Sequence, residues 1–384
     1  MSGERLRIVL AGMVAGDPHQ GGASWAVLQY LAGLSGLGHE VMLVEPVAAE
    51  ALEPGGEVVR YFRSLPLPEG RAALLGRGGE ETVGVAYPEL LEFARGADLL
   101  LNVSGMLRDE RLLGAVPARA FLDLDPGFNQ VWEETGGGMG FDRHTHCVSV
   151  GVRIGLEDCP IPTLGRSWIP TLPPVALAHW PPADAPPERD AFTSVGHWRS
   201  YGSVEHKGVH YGQRAHSLRS LFELPRRSPA RFELALGIHL DEVEDLRALR
   251  ENGWTLLDPA DVAGTPERYA GFVRASKAEL GVAKSGYVDS RSGWFSDRSA
   301  CYLASGRPVA AQDTGFATAL PAGEGLLAFS AVEEAAAAVA AIEAGYDRHA
   351  RAARELAEEH LDSRRVLPRL LERLAVPEAS GAGR

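Results

Sequence analysis

The sequence predicts an α/β protein made of two doubly wound, Rossmann-like units. Three observations carry this. The N-terminus runs strand, Gly-rich loop, helix, strand; short apolar runs ending in Gly or Asp recur; and the alternation restarts after a proline-rich band near the middle. The chain has 384 residues, room for two domains of ordinary size. Apolar residues make up 45% and charged residues 23%, which supports sizeable cores and argues against a disordered chain.

Residues 6–12 (LRIVLAG) read as a buried strand that runs straight into glycine. MVAGDPHQGG is a loop, 23–37 a helix and VMLVEP a second strand. ADLLLNVSG at 97–105, ARAFLDLD at 118–125 and CVSVG at 147–151 follow the same plan, since burial on both faces of a parallel strand produces such runs. Proline and glycine clusters make 51–90 read as irregular. The band IPTLPPVALAHWPPADAPPERD at 169–190 stiffens the chain and reads as the connection between the units. The expected division is a first domain over 1–175, a linker over 176–190, a second domain over 191–345, and C-terminal helices over 346–384 that pack back toward the first domain. AFTSVGHWRS, ARFELALG, GWTLLDP, 282–288, RPVAAQ and EGLLAFS read as the second set of strands. Ser330 and Glu333 have the spacing of a capping box, 347–372 reads as helix broken at Pro368, and the final ASGAGR as disordered.

Lys and Arg number 38 against 51 Asp and Glu, a net charge of −13. This disfavours nucleic acid and anionic membrane as partners, while leaving room for a local basic pocket. Three cysteines without CxxC spacing exclude a disulfide scaffold and point to reduced, structural thiols. No apolar stretch is long enough to span a bilayer, so a cytoplasmic protein is expected, as monomer or homodimer.

Chemistry is expected beyond the strand ends. In the first loop, Gly16, Gly21 and Gly22 allow close backbone approach to a ligand, and Asp17 and His19 are the polar groups. Glu45 ends the second strand where an acid can meet a ribose, although no G-x-G-x-x-G fingerprint opens the helix. Asp123 and Asp125 alternate at another strand end, one able to face the cleft while the other caps a turn, with Asn129 and Gln130 nearby. His144, His146 and Asp142 lack a fourth ligand, so no metal site is assigned. Arg199 and Lys207 follow the first strand of the second unit and suit a diphosphate. The strongest local signal is RSGWFSDRSACYLASGRPVAAQDTG at 291–315. Ser296 is an N-cap, Gly306 ends the helix, and a helix start with free N–H groups flanked by Arg291 and Arg298 suits phosphate. Asp297 can take ribose hydroxyls, and Gln312, Asp313 and Thr314 end the next strand at the same cleft.

These blocks resemble glycosyltransferases of the GT-B class, in which two Rossmann-like domains face a central cleft. The resemblance lies in GLGHEVMLVEP at 36–46, VGHWRSYGSVEHKG at 195–208 and SGWFSDRSACYLASGRPVAAQDTG at 292–315, and covers roughly 5–372. It implies transfer of a sugar, of the hexosyl type, from a nucleoside-diphosphate sugar to a small-molecule or glycan hydroxyl. No tightly bound cofactor and no metal requirement are implied. It further implies that Arg199 and Lys207 approach the donor diphosphate and that Gly293, Ser296, Asp297 and Arg298 lie beneath nucleotide and phosphate. Gly21 and Gly22 would reach phosphate or sugar, and His19, Asp17 or Asp125 would serve catalysis. One position departs from the family: Cys301 stands where many relatives carry a ribose-holding glutamate. A nucleotide-sugar epimerase and a non-catalytic binding protein on the same scaffold are the alternative readings.

Overall fold

The computed structural model describes residues 5–183 and 186–374. The final ASGAGR falls outside them. Strands β1 (Arg7–Ala11), β2 (Glu40–Val47), β3 (Ala72–Gly76), β4 (Thr82–Gly84), β5 (Leu99–Val103), β6 (Ala118–Asp123), β7 (His146–Ser149) and β8 (Trp168–Pro170) form the first sheet. Its order is β4-β3-β2-β1-β5-β6-β7-β8. All pairs are parallel except β3 with β4. β9 (Arg189–His197) starts the second half, and a small antiparallel hairpin, β10 (Val204–His206) and β11 (Val209–Tyr211), follows it. With β12 (Phe232–Gly237), β13 (Thr255–Leu256), β14 (Ser276–Gly281), β15 (Val309–Gln312) and β16 (Leu326–Phe329), β9 forms a second, fully parallel sheet. Its order is β13-β12-β9-β14-β15-β16.

Alternation explains the continuous apolar runs. Ile8 and Leu10 of β1 enter one core cluster while Val9 and Ala11 enter another on the opposite face. In the second sheet Leu234 and Leu236 of β12 face one core, whereas Ala235 belongs to the cluster that also holds Trp25, Trp180 and Tyr269. One apolar core therefore runs through the junction of the two sheets.

Several local expectations are corrected. Residues 51–90 hold β3, β4 and the helices Glu57–Ser64 and Tyr87–Arg95. The Glu57–Ser64 helix buries only Val59, Tyr61 and Phe62, a stripe too short to stand out among glycines and prolines. The strand read at 282–288 lies earlier, as β14, and Ser285–Asp289 is helical. Ser330 makes no side-chain cap; its N–H donates to Glu334 Oε2 at 2.7 Å and the helix starts after Ala331. Pro368 sits inside the Ser363–Arg373 helix, and the break falls at a π turn over Ala357–Leu361.

Two passages of chain join the sheets, and they touch. Val175 N–H donates to the Leu361 carbonyl at 2.7 Å, and Ser363 N–H to the Val175 carbonyl at 2.8 Å. The proline band is thus partly built into the protein, with Trp180 fully buried. The Ser363–Arg373 helix then lies on the first helix, Gly21–Gly36, where Gly33 leaves space for Ser363 and Leu367.

Candidate active site between the sheets

β6 ends in Asp123, whose buried carboxylate accepts from Asn129 Nδ2 (2.6 Å), Gln130 Nε2 (2.8 Å), Ser149 Oγ (2.6 Å) and Asp125 N–H (2.9 Å). Burial pushes its pKa up to about 6, with these donated bonds opposing the rise. The network fixes the turn before the Phe128–Glu134 helix, so Asp123 is the structural member of the pair.

Asp125 is carried by that turn to the second sheet. Its Oδ1 accepts from Lys284 Nζ at 2.6 Å, from Tyr201 OH at 2.6 Å and from Tyr287 OH. Lys284 also bonds Tyr201 OH, and its ammonium stands 4.0 Å from the Tyr201 ring centroid and 5.3 Å from that of Phe128. Burial opposes the charge of Asp125. Lys284 and the donated bonds outweigh it and hold the carboxyl below its usual range. Burial likewise lowers the Lys284 pKa, against the pull of Asp125. Breaking one half of such a pair leaves the other charge uncompensated.

The second sheet changes direction between β9 and β14, the crevice where doubly wound sheets hold ligands. Lys284 follows β14 there and His197 ends β9. Arg214 lies buried between them, donating to the Val282 carbonyl at 3.0 Å and the His197 carbonyl at 2.8 Å. Burial, helped by Arg298, lowers Arg214 to about 9. Burial and then Arg214 lower the His197 pKa, while Asp17 across the cleft opposes them.

Other predicted residues take different places. Glu45 is fully buried and pins the first loop, accepting from Val14, Ala15 and Gly16 N–H at 3.0, 2.8 and 2.6 Å, so it is closed to a ribose. His19 has a left-handed φ of 64° and an exposed ring 3.0 Å from Glu57 Oε1. Asp17 bonds Gln20. Gly21 and Gly22 do admit close backbone, but from protein. A Cβ at Gly21 would collide with the Thr265 carbonyl, and one at Gly22 would lie 2.8 Å from the Tyr269 ring. Arg199 pairs with Glu242 and Lys207 with Glu134, so the two cations are held apart in separate surface pairs.

The Asp297–Ala304 helix forms as read, with Ser296 accepting from Arg298 N–H at 3.2 Å and Gly306 in the left-handed region. Arg298 is buried against Glu279 and the Val195 carbonyl. Gln29 and Tyr30 of the first helix cover Asp297, leaving a cavity of about 20 Å³. That volume suits one water. Cys301 lies on the same helix, with its Sγ 3.5 Å from Gln29 Nε2. Gly293, with φ 75°, meets Val152 and Arg153 in the loop that follows β7. Gln312 Oε1 accepts from Ala283 N–H at 3.3 Å, Asp313 Oδ1 from Gly315 N–H at 2.7 Å, and Thr314 Oγ1 bonds the Trp294 carbonyl at 2.5 Å. These three residues brace the loops around Lys284 and Trp294.

His144 bonds Asn102 and the Gly140 carbonyl while His146 bonds Thr145. Among the described residues no three His, Cys, Asp or Glu gather as a metal site.

No family model and no curated protein matches this sequence. Solved structures do match it in shape. An alpha-glucosyltransferase in complex with UDP superposes with a TM-score of 0.61 at 12% identity, covering 96% of this chain and 99% of that one. AviGT4, a glycosyltransferase involved in avilamycin A biosynthesis, gives 0.56 at 17% identity over 96% and 97%. Anabaena Alr3699/HepE, in complex with UDP and glucose, gives 0.57 at 12% identity over 97% and 100%. The chain has the GT-B fold. In GT-B terms the Asp125–Lys284 cluster joins the two domains at their facing strand ends.

One expectation is overturned. An alpha-glucosyltransferase of this shape, matching at TM-score 0.60 over 96% of this chain, was solved with UDP and DNA. A net negative charge on a GT-B scaffold therefore gives no ground for excluding nucleic acid. Among the described residues no helix is long and apolar enough to cross a membrane. Sequence reasoning missed Lys284, Tyr201, Tyr287, His197 and Arg214. The available signal was Lys-Ser-Gly at the end of the run AELGVA, a charge at the mouth of a buried strand.

Proposed function

We propose that this protein is a glycosyltransferase that moves a sugar, of the hexosyl type, from a nucleoside-diphosphate donor to a hydroxyl acceptor. The observation that carries the reading is the Asp125–Lys284 pair, which brings a half-buried cation and a carboxylate from opposite domains to the GT-B strand-end cleft. The GT-B neighbours solved with UDP, or with UDP and glucose, support the donor class.

In the proposed reaction an acceptor hydroxyl oxygen bonds to the anomeric carbon as the bond to the diphosphate breaks, and its proton passes to the Asp17 carboxylate. Lys284, with Arg214 behind it, supplies positive charge for the departing diphosphate. Tyr201 and Tyr287 orient Asp125, which holds Lys284 in place and accepts from a sugar hydroxyl. Asp17, which lies in the field of His197, is better placed than the surface-paired His19 to meet the acceptor. Calorimetry and transfer assays over a panel of sugar nucleotides, with small-molecule, glycan and DNA acceptors, test this. Sugar-nucleotide binding that weakens in Lys284→Met is the expected result. Folded protein that binds and turns over no sugar nucleotide would sink the reading.

A second reading draws on Cys301, which stands against Gln29 where many relatives carry a ribose-holding glutamate: a GT-B-like binding protein without transfer. The same panel separates the two, because that protein would bind a sugar or partner and leave every donor intact.

A further inference from the structure

A second cavity, of about 630 Å³, lies between the residues that follow β7, the end of β8, Thr318 and Ala319 of the second domain, and the Ser363–Arg373 helix. Its size falls within the range of about 300–1,000 Å³ typical of small-molecule sites. Leu156, Leu172, Val366 and Leu370 give it apolar walls. Leu156 keeps 48% of its surface exposed, one of few large apolar side chains in the described residues to do so. Its exposure leaves that wall of the groove open to solvent.

The rim has its own charge. Arg369 and Arg373 stand four apart on one helix face and both line the cavity, against the single carboxylate of Glu372. This cationic rim sits on a chain of net charge −13. Arg373 Nη1 donates to the Pro170 carbonyl at 3.1 Å, which fixes its guanidinium at the wall. The π turn over Ala357–Leu361 precedes this helix and sets His360 into the lining. A π turn inserts a residue into a helix, disturbs its register, and is found disproportionately at functional sites.

We infer that this groove binds a single-chain fatty carboxylate, its tail along the Leu156–Leu370 walls and its head at Arg369 and Arg373. Planar guanidinium groups suit a carboxylate, and the apolar walls suit an unbranched tail. Its lining holds none of the residues assigned above to sugar transfer.

The test uses the full-length protein and dodecanoate below its micelle concentration, followed by calorimetry. One dodecanoate per chain is expected. Leu156→Asp and Arg369→Glu, both surface changes, should each weaken it about tenfold, as loss of one charge-assisted contact or one apolar contact implies. Arg369→Glu should leave dodecanol affinity unchanged, and acetate alone should not bind. Several results would overturn the inference: no uptake of dodecanoate by the folded wild type, equal uptake of dodecyltrimethylammonium, or affinity unmoved by both variants. A dimer by light scattering that Arg369→Glu dissociates, with no dodecanoate uptake, would assign the groove to a second copy. Binding only to whole phospholipid vesicles would assign it to a membrane surface.

Discussion

The two domains meet in two different ways. Along one seam the contact is made by shape. Gly21 lets the first helix reach the Ala263 and Thr265 backbone and Gly22 lets it reach the Tyr269 ring, Trp25 Nε1 donates to the Pro266 carbonyl at 2.9 Å, and Tyr61 OH donates to the Gly264 carbonyl at 3.1 Å. At the corner the contact is made by charge, with Asp125 and Lys284 surrounded by aromatic rings. At the start of the Asp297–Ala304 helix the seam leaves a small cavity lined by Gln29, Tyr30 and Asp297. The corner concentrates groups that shift one another's ionisation, the usual mark of chemistry. In this protein, then, tight apposition and reactive potential occupy different stretches of one interface.

Removing Lys284 is the sharpest way to break that contrast. Lys284→Ala leaves the half-buried Asp125 without its cation, a loss of about 1–3 kcal/mol by denaturant unfolding, with transfer down a hundredfold or more. A double-mutant cycle with Asp125→Asn should recover part of that loss; additive losses would show the pair is not coupled.

Asp123 tests whether the corner stands on a strained foundation. Its carboxyl is raised from its ordinary value of 3.8 to about 6, so the folded state binds the proton more tightly than the unfolded one. Its stabilising contribution is complete below about pH 4 and is lost as pH rises through about 6. The total change is about 3 kcal/mol. Carbon-13 titration of the Asp123 carboxyl with a midpoint near 4 would remove this account.

The seam should respond through packing alone. Gly21→Val drives a branched side chain into the Thr265 carbonyl and should cost about 1–3 kcal/mol without moving the Asp125 ionisation. A thermal midpoint equal to wild type would mean that the seam yields.

The smallest effect belongs to the surface pairs. Arg199→Ala and Lys207→Ala should each change stability by about 0–1 kcal/mol, since each cation is partnered at the surface. A larger loss in diphosphate affinity for both would restore them to the donor site.

The sequence was legible wherever a signal was local. The opening strand, loop and helix, the Ser296 cap and the Gly306 stop depend on neighbours a few residues away. Asp125 could be listed as a candidate because it ends a strand. Its partner could not, because Lys284 lies 159 residues away and no local pattern encodes that meeting. Lys284 was further hidden by the apolar run before it, which reads as one long strand although β14 stops at Gly281. Gly21 and Gly22 were visible as glycines needing space. Whether phosphate or protein fills that space is decided only by how the second domain docks.

The crossing at Val175 has a mechanical consequence. The outgoing and returning backbones exchange two hydrogen bonds there, so they form one short ribbon. Any swing of one half against the other must twist both backbones together about that ribbon. A nick in either backbone would therefore leave the halves still tethered, and motion should be governed by a common axle beside residues 175 and 361–363.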